Sequence, residues 1–300
     1  MTNLVLLVSC LLLGMALRWG KVLPENTPVV LNRLLVSVFI PAMTLLYVVD
    51  MHFNNRFWLP IVAPWLVFGG GCVFFCSLAR RLNFDRGTLG ALLLTGGISS
   101  VSFVGFPIFE WLYGRPGLEM GILMSQAGTF VVCVTVGVGV ASWLADKEPS
   151  ISGMLLNMVR FPPFAAFVLA LLARGIGYEH SPLVHDVLGS LTKPFSVIAL
   201  LSVGLQISFA LPKSNRTALL TGLGYKLLIA PLLVFTVYVL LLNQHGWQAD
   251  LCILGSAIGP MNTAAVLAQQ YNLNPELAAQ MIGLGIPLSF CSLYLLHYIL

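Results

Sequence analysis

The chain has 300 residues, of which 58% are hydrophobic and only 9% charged, with a formal net charge of +4. Soluble domains carry about 25% charged residues, so these few charges could not clothe a soluble surface. Long apolar blocks recur instead, each near the roughly 20 residues that cross a ~30 Å hydrocarbon core.

The blocks predict ten helical spans, at about 4–18, 29–49, 59–79, 88–114, 117–144, 162–176, 187–209, 218–242, 250–271 and 276–300. Segments of ten residues with alternating polarity, the mark of a membrane β-barrel, are missing. The first block lacks a basic leader and a small-residue cleavage site, so it reads as a retained helix. The spans are joined by short loops that insert no soluble domain. Residues 150–160 suggest a short amphipathic helix on the membrane surface, ahead of the entry at Pro162 and Pro163. All six cysteines (10, 72, 76, 133, 252 and 291) fall in apolar blocks and read as small buried hydrophobes. Cys72 and Cys76 share a helix face, but without further ligands they make no zinc site.

Lysine and arginine orient the spans. Arg18, Lys21, Arg33, Arg80, Arg81, Arg86, Lys147, Arg160, Lys213 and Arg216 fall in one set of loops, against Arg56, Arg115 and Arg174 in the other. The excess marks the cytoplasmic side and puts both termini outside.

Two spans are interrupted. TGGISSVSFVGFPIFEWLY (95–113) carries Gly96, Gly97, Gly105 and Pro107, with serines where a lipid-facing helix would have leucine. GSAIGPMNTAAVLAQQY (255–271) has the same character, with Gly259–Pro260 followed by Asn262 and Thr263. Each runs on to a tyrosine (113, 271), a turn with proline (116, 275), a glutamate (119, 276) and a further helix. Spans two and seven also share an internal proline, Pro41 and Pro194. With five spans per half the second copy starts from the opposite side, giving a 5+5 inverted repeat of residues 1–148 and 149–300, with broken helices 4 and 9 in matching places.

FVGFPI (103–108), the Gly259–Pro260 step and AVLAQQYNLNPELAAQMIG (265–283) closely resemble the auxin efflux carrier family, which includes plant PIN-type auxin carriers and bacterial permeases assigned to malate and malonate. Ile40–Pro41 and Lys226 ahead of Pro231 extend the resemblance over the whole chain. It implies an all-α integral membrane protein of ten helices in which the broken helices cross, and secondary transport of small organic anions in a bacterial inner membrane. Family members often place Asn-Thr-Gly where this chain has Ser100-Val101-Ser102, so Ser100 stands in for a hydrogen-bonding asparagine.

The breaks carry the expected chemistry. Backbone groups freed in lipid must be satisfied by protein or water, which calls for a polar cavity. Pro107 and Pro260 suit the first position of a second half-helix, where a missing N–H loses nothing. Opposed spans then bring two positive helix N-termini together, an anion site in the making. Ser99, Ser100, Ser102, Asn262 and Thr263 can donate to a carboxylate, alongside Gly105; the same small residues would also serve close helix packing. Lys226 sits about ten residues past Arg216, roughly 15 Å into the bilayer at ~1.5 Å per residue. It could balance an anionic substrate or lock its span to a carbonyl or helix C-terminus. Glu110 is a candidate coupling group, with Gln126 and Gln206 as neutral helpers, although its place near the span end also suits snorkelling. Lys193 and the histidines at 52, 180, 185, 245 and 297 lie toward the span ends.

The substrate-binding set read from the sequence is therefore Ser99, Ser100, Ser102, Gly105, Pro107, Lys226, Pro260, Asn262 and Thr263. An intramembrane hydrolase finds no H-E-x-x-H or buried aspartate pair, and no catalytic residue, cofactor or metal is expected. A channel shares the same dipoles and polar lining and stays open as a reading. So does a sodium-coupled symporter of the related bile-acid-type fold. The crossing lacks an acidic cluster, which favours proton coupling or uniport over sodium. The expected partners are a small anion and the bilayer, not nucleic acid; a homodimer is compatible with the sequence.

Overall fold

The computed structural model describes residues 2–51, 55–146, 151–207 and 215–300. Lys147, Lys213, His52 and the end of the span predicted at 187–209 lie outside them. The described residues are helical apart from connections and one isolated bridge, and contain no strand. A chain this apolar has few other options, since a helix satisfies its own backbone groups where water is absent.

The helices, in chain order, are α1 (Thr2–Trp19), α2 (Thr27–Asp50), α3 (Trp58–Leu82), α4 (Arg86–Gly97), α5 (Val101–Leu144) and α6 (Ile151–Arg160). They continue with α7 (Pro162–Gly175), α8 (Pro182–Gln206), α9 (Arg216–Leu241), α10 (Trp247–Ala257), α11 (Asn262–Gln270) and α12 (Pro275–Ile299). Six of these, α2, α3, α5, α8, α9 and α12, are long and apolar enough to cross a membrane, and Val5–Trp19 and Pro162–Gly175 are shorter apolar helices. Leu12, Val73, Leu172, Leu220, Leu240 and Leu295 are each more than half exposed, an arrangement suited to acyl chains rather than water. Of the six cysteines read as buried only Cys133 and Cys252 are; Cys10 and Cys72 are half-buried, Cys76 and Cys291 are exposed on such surfaces, and all six are free. A helix does occupy Ile151–Arg160, as the amphipathic pattern predicts, and Ser150 is outside the described residues.

Local sequence explains the helix ends. Asp85 caps α4 by accepting from the Thr88 N–H at 3.2 Å, and Asn274 caps α12 by accepting from the Leu277 N–H at 3.1 Å. Arg80 and Arg81 sit in the last turn of α3, where cations oppose the helix dipole, and the chain leaves that helix through Asn83 at φ 52°. Six stretches of the described residues are wound wider than an α-helix. Three of them, Leu35–Phe39, Val101–Gly105 and Tyr225–Ile229, stand just ahead of a proline, Pro41, Pro107 or Pro231. Proline offers no N–H and its ring presses on the preceding turn, and a widened turn absorbs both.

The chain forms two compact units, each drawing on both halves of the sequence. The first is Met1–Asn55, Ser102–Ile122 and Leu155–Gln206. In it α1 and α8 touch backbone to backbone: a Cβ on Gly14 would lie 2.4 Å from the Leu201 carbonyl oxygen, and one on Gly204 2.3 Å from that of Leu11, the close approach that small residues give membrane helices. The same unit holds an ionic cluster in which Arg115 binds Asp50 at 3.0 Å and Glu119 at 2.9 Å. Just before Arg115, α5 kinks at Gly114 (φ 63°, ψ −152°), a backbone region that is essentially glycine's own. Gly114→Ala is expected to lower stability by about 1 kcal/mol, read as a fall in the thermal midpoint of the detergent-purified protein. An unchanged midpoint would mean that the kink is not held in the folded protein.

The second unit is Arg56–Val101, Leu123–Met154 and Ile207–Leu300. Here α3, α4, α9, α10 and α12 pack together. Tyr225 of α9 donates to the Val67 carbonyl of α3 at 2.5 Å, and its ring lies 5.2 Å from Phe74 and 4.9 Å from Phe75. Asn274 ties the start of α12 to α4 by donating to Thr88 Oγ1 at 2.9 Å.

Candidate functional site

The second unit contains an unusual junction. Helix α4 stops at Gly97 and α10 at Ala257, and the residues that follow are extended: Ile98 has φ −122° and ψ 123°, Ile258 φ −62° and ψ 140°. Ser99 and Pro260 form an isolated antiparallel bridge. Two backbone hydrogen bonds flank it, Ser100 N–H to the Gly259 carbonyl at 2.8 Å and Met261 N–H to the Ile98 carbonyl at 3.0 Å. Ser99 and Pro260 thus face each other as the non-hydrogen-bonded pair of an antiparallel ladder. Proline is tolerated there because that position asks for no N–H. Backbone groups that leave helices inside an apolar protein are in this way returned to partners.

Glycine permits the approach. A Cβ on Gly259 would meet the Ile286 Cα of α12 at 2.7 Å, and one on Gly285 would meet Pro260 Cδ at 2.6 Å. On α4, Cβ atoms at Gly96 and Gly97 would each come 2.8 Å from a phenylalanine ring, Phe75 and Phe68. Those two glycines are explained by packing.

Lys226 reaches this junction from the widened turn of α9. Its side chain is fully buried at 0% exposure, and Nζ donates to Ser99 Oγ at 2.5 Å. Among the described residues no carboxylate pairs with it. Ser100 is 1% exposed, and its Oγ has no hydrogen-bond partner among the described residues. Gln126 is likewise 1% exposed with an unpartnered Oε1, whereas Gln206 donates to the Ser202 carbonyl at 3.0 Å.

Ser99, Ser100, Lys226 and Pro260 are therefore brought together within one unit. Asn262, half-buried, and Thr263, exposed, open α11 immediately after the bridge. Ser102, Gly105 and Pro107 belong to the first unit, on the first turns of α5; Ser102 is half-buried and the other two are buried. The non-helical residues are thus 98–100, several positions ahead of Pro107, which lies within α5 rather than at the first position of a half-helix. Glu110 is exposed and accepts from Ser196 Oγ at 3.2 Å in the first unit. Lys193 is exposed, and His180 meets the Leu45 carbonyl at 3.1 Å. Gly285 is the contributor that sequence reasoning passed over. The Gly259–Pro260 step was visible, but the helix it rests on was not.

Long apolar helices with lipid-suited surfaces and a polar junction between interrupted segments define a multi-pass integral membrane protein. A sequence profile described as membrane transport protein matches residues 1–297, and the chain belongs to that family, the auxin efflux carriers. An uncharacterized transporter of Methanothermobacter thermautotrophicus is 27% identical over 293 residues, covering 96% of this chain and 94% of the relative. A second uncharacterized transporter, from Methanocaldococcus jannaschii, is 23% identical over 310 residues, covering 99% and 98%. The chain is a membrane transporter.

Proposed function

We propose that this transporter is a secondary carrier of a small organic anion, a mono- or dicarboxylate, working by alternating access with the anion held at the Ser99–Pro260 junction. The observation that carries the reading is Ser100 Oγ, a buried hydroxyl with no partner among the described residues, next in the chain to Ser99, which holds the only buried lysine among them. Leaving such a hydroxyl unpaired costs about 1–3 kcal/mol, a reason to expect a ligand that pairs it. Ser99 supports the same reading. Its oxygen accepts from Lys226, so its own O–H is left to donate. Asn262 and Thr263 begin α11 just after the bridge, where a helix N-terminus favours negative charge. Ser102, Gly105 and Pro107 continue the segment on which the serines lie.

The 5+5 inverted repeat of residues 1–148 and 149–300, with helices 4 and 9 broken and crossing, is the architecture we assign to this carrier, with a bacterial inner membrane as its place and both termini outside. Proton coupling, with Glu110 as candidate group, or uniport is preferred to sodium symport.

Thermal unfolding of the detergent-purified protein against a panel of small mono- and dicarboxylates tests the anion. Ligands that bind the native state raise the midpoint, and a saturable rise with at least one carboxylate is expected. A rise only with neutral or cationic solutes would refute anion carriage. Trans-stimulated exchange of the labelled carboxylate in proteoliposomes then separates a carrier from a channel, which would pass single-channel currents instead.

A further inference from the structure

The bridge lies where two helices end. Gly97, the last residue of α4, is two positions from Ser99, and Ala257, the last of α10, is three from Pro260. The C-terminus of a helix carries about half a negative charge on carbonyls that no longer find an intrahelical donor. Two such ends meet at the bridge inside an apolar unit, and their carbonyls offer negative potential to a cation, just as the N-terminus of α11 beyond the bridge offers positive potential to an anion. In carriers with interrupted helices, half-helix C-termini and unwound carbonyls are what coordinate sodium. Here the cationic group at the junction belongs to the protein: Lys226 Nζ, fully buried, held by Ser99 Oγ at 2.5 Å and by no carboxylate among the described residues.

We propose that Lys226 is a tethered cation occupying a cation site built from the C-termini of α4 and α10, so that this carrier holds its junction together without a sodium ion. The inference rests on the carrier reading and extends it to the coupling ion. A lysine stem fixes the charge to α9, whereas a free ion would come and go with each cycle. The widened turn at Tyr225–Ile229 has a purpose in this light. It lies ahead of Pro231, and it is the turn from which Lys226 meets Ser99.

The test is removal of the tether and replacement of the charge. Lys226→Ala lacks three carbons and the ammonium, which n-propylammonium supplies in free form. Thermal midpoints of wild type and variant are measured in choline, sodium and n-propylammonium chlorides at equal ionic strength. The wild type is expected to melt at one temperature in all three salts. Lys226→Ala is expected to melt about 5 °C lower in choline and to recover most of that loss, saturably, in sodium or n-propylammonium. Lys226→Met, whose side chain fills the space without charge, should melt low in every salt.

A wild-type midpoint raised by sodium, or a folded Lys226→Ala indifferent to both small cations, overturns the proposal. Should Lys226→Ala fold only when n-propylammonium is present during purification, that recovery is itself the expected result; failure to fold in its presence counts against the tether. The carboxylate panel on the wild type is read apart from these salts. No shift with any carboxylate refutes anion carriage and leaves the cation result standing, while a cation-blind variant refutes the tether and leaves anion carriage standing.

Discussion

A single methyl group at residue 259 is expected to cost this protein about 1–3 kcal/mol of stability. The Cβ of Gly259→Ala would lie 2.7 Å from the Ile286 Cα, 2.9 Å from the Gly285 carbonyl oxygen and 2.9 Å from the Ile286 amide nitrogen. All three atoms are backbone of α12, so no rotamer change relieves the clash. Either α12 or the bridge must move, and the bridge is held by only two backbone hydrogen bonds. The bridge should yield, loosening Ser99 and Ser100 together with Gly259. A lower thermal midpoint and weakened carboxylate binding are therefore expected from one change that touches no polar group. Gly69→Ala is the control, since nothing lies within 4 Å of its Cβ; in a helix interior it should hold or raise the midpoint. If Gly259→Ala melts with the wild type, the close approach of bridge and α12 is wrong.

That contact shows what the amino-acid sequence could and could not disclose. Apolar runs fix where membrane-suited helices lie, and helices such as Trp58–Leu82 and Pro275–Ile299 begin within a residue of the predicted spans. Hydrophobicity is a property of a segment, so a segment suffices to read it. The interruption in the fourth span was legible in kind but not in place. Gly105 and Pro107 drew attention downstream, yet the widened turn at Val101–Gly105 absorbs Pro107 and the helix gives way at 98–100 instead. Ile98, Ser99 and Ser100 are no strong helix breakers. They are extended because residues about 160 positions later pair with them, and such pairing leaves no local trace.

Lys226 was half legible. Helical rise put it deep in the membrane, and the rarity of charge there marked it as functional. Its partner, Ser99, could not be singled out from three serines in four positions. Burial separates them after the fact: Ser99 holds the ammonium, Ser100 is buried without a partner, and Ser102 is half-buried at the start of the next helix.

The two buried serines should respond to alanine in opposite ways. Ser100→Ala removes a buried hydroxyl that makes no hydrogen bond among the described residues, so the unliganded protein should be as stable as the wild type or more so. Its affinity for the carboxylate that stabilises the wild type should fall about tenfold, the equivalent of about 1.4 kcal/mol for one lost hydrogen bond. Ser99→Ala instead strips the hydroxyl from a buried ammonium. Hydrogen bonds to charged groups contribute about 1.5–3 kcal/mol, so this variant should melt well below the wild type even without ligand. Both quantities come from the same melting experiment, run with and without the carboxylate. A Ser100→Ala protein that binds as tightly as the wild type would reduce Ser100 to a packing residue and move the anion elsewhere. A Ser100→Ala protein that melts low without ligand would mean its hydroxyl already has a partner in the resting carrier. Only stability kept and affinity lost distinguishes a group held in reserve for substrate from one that holds the fold.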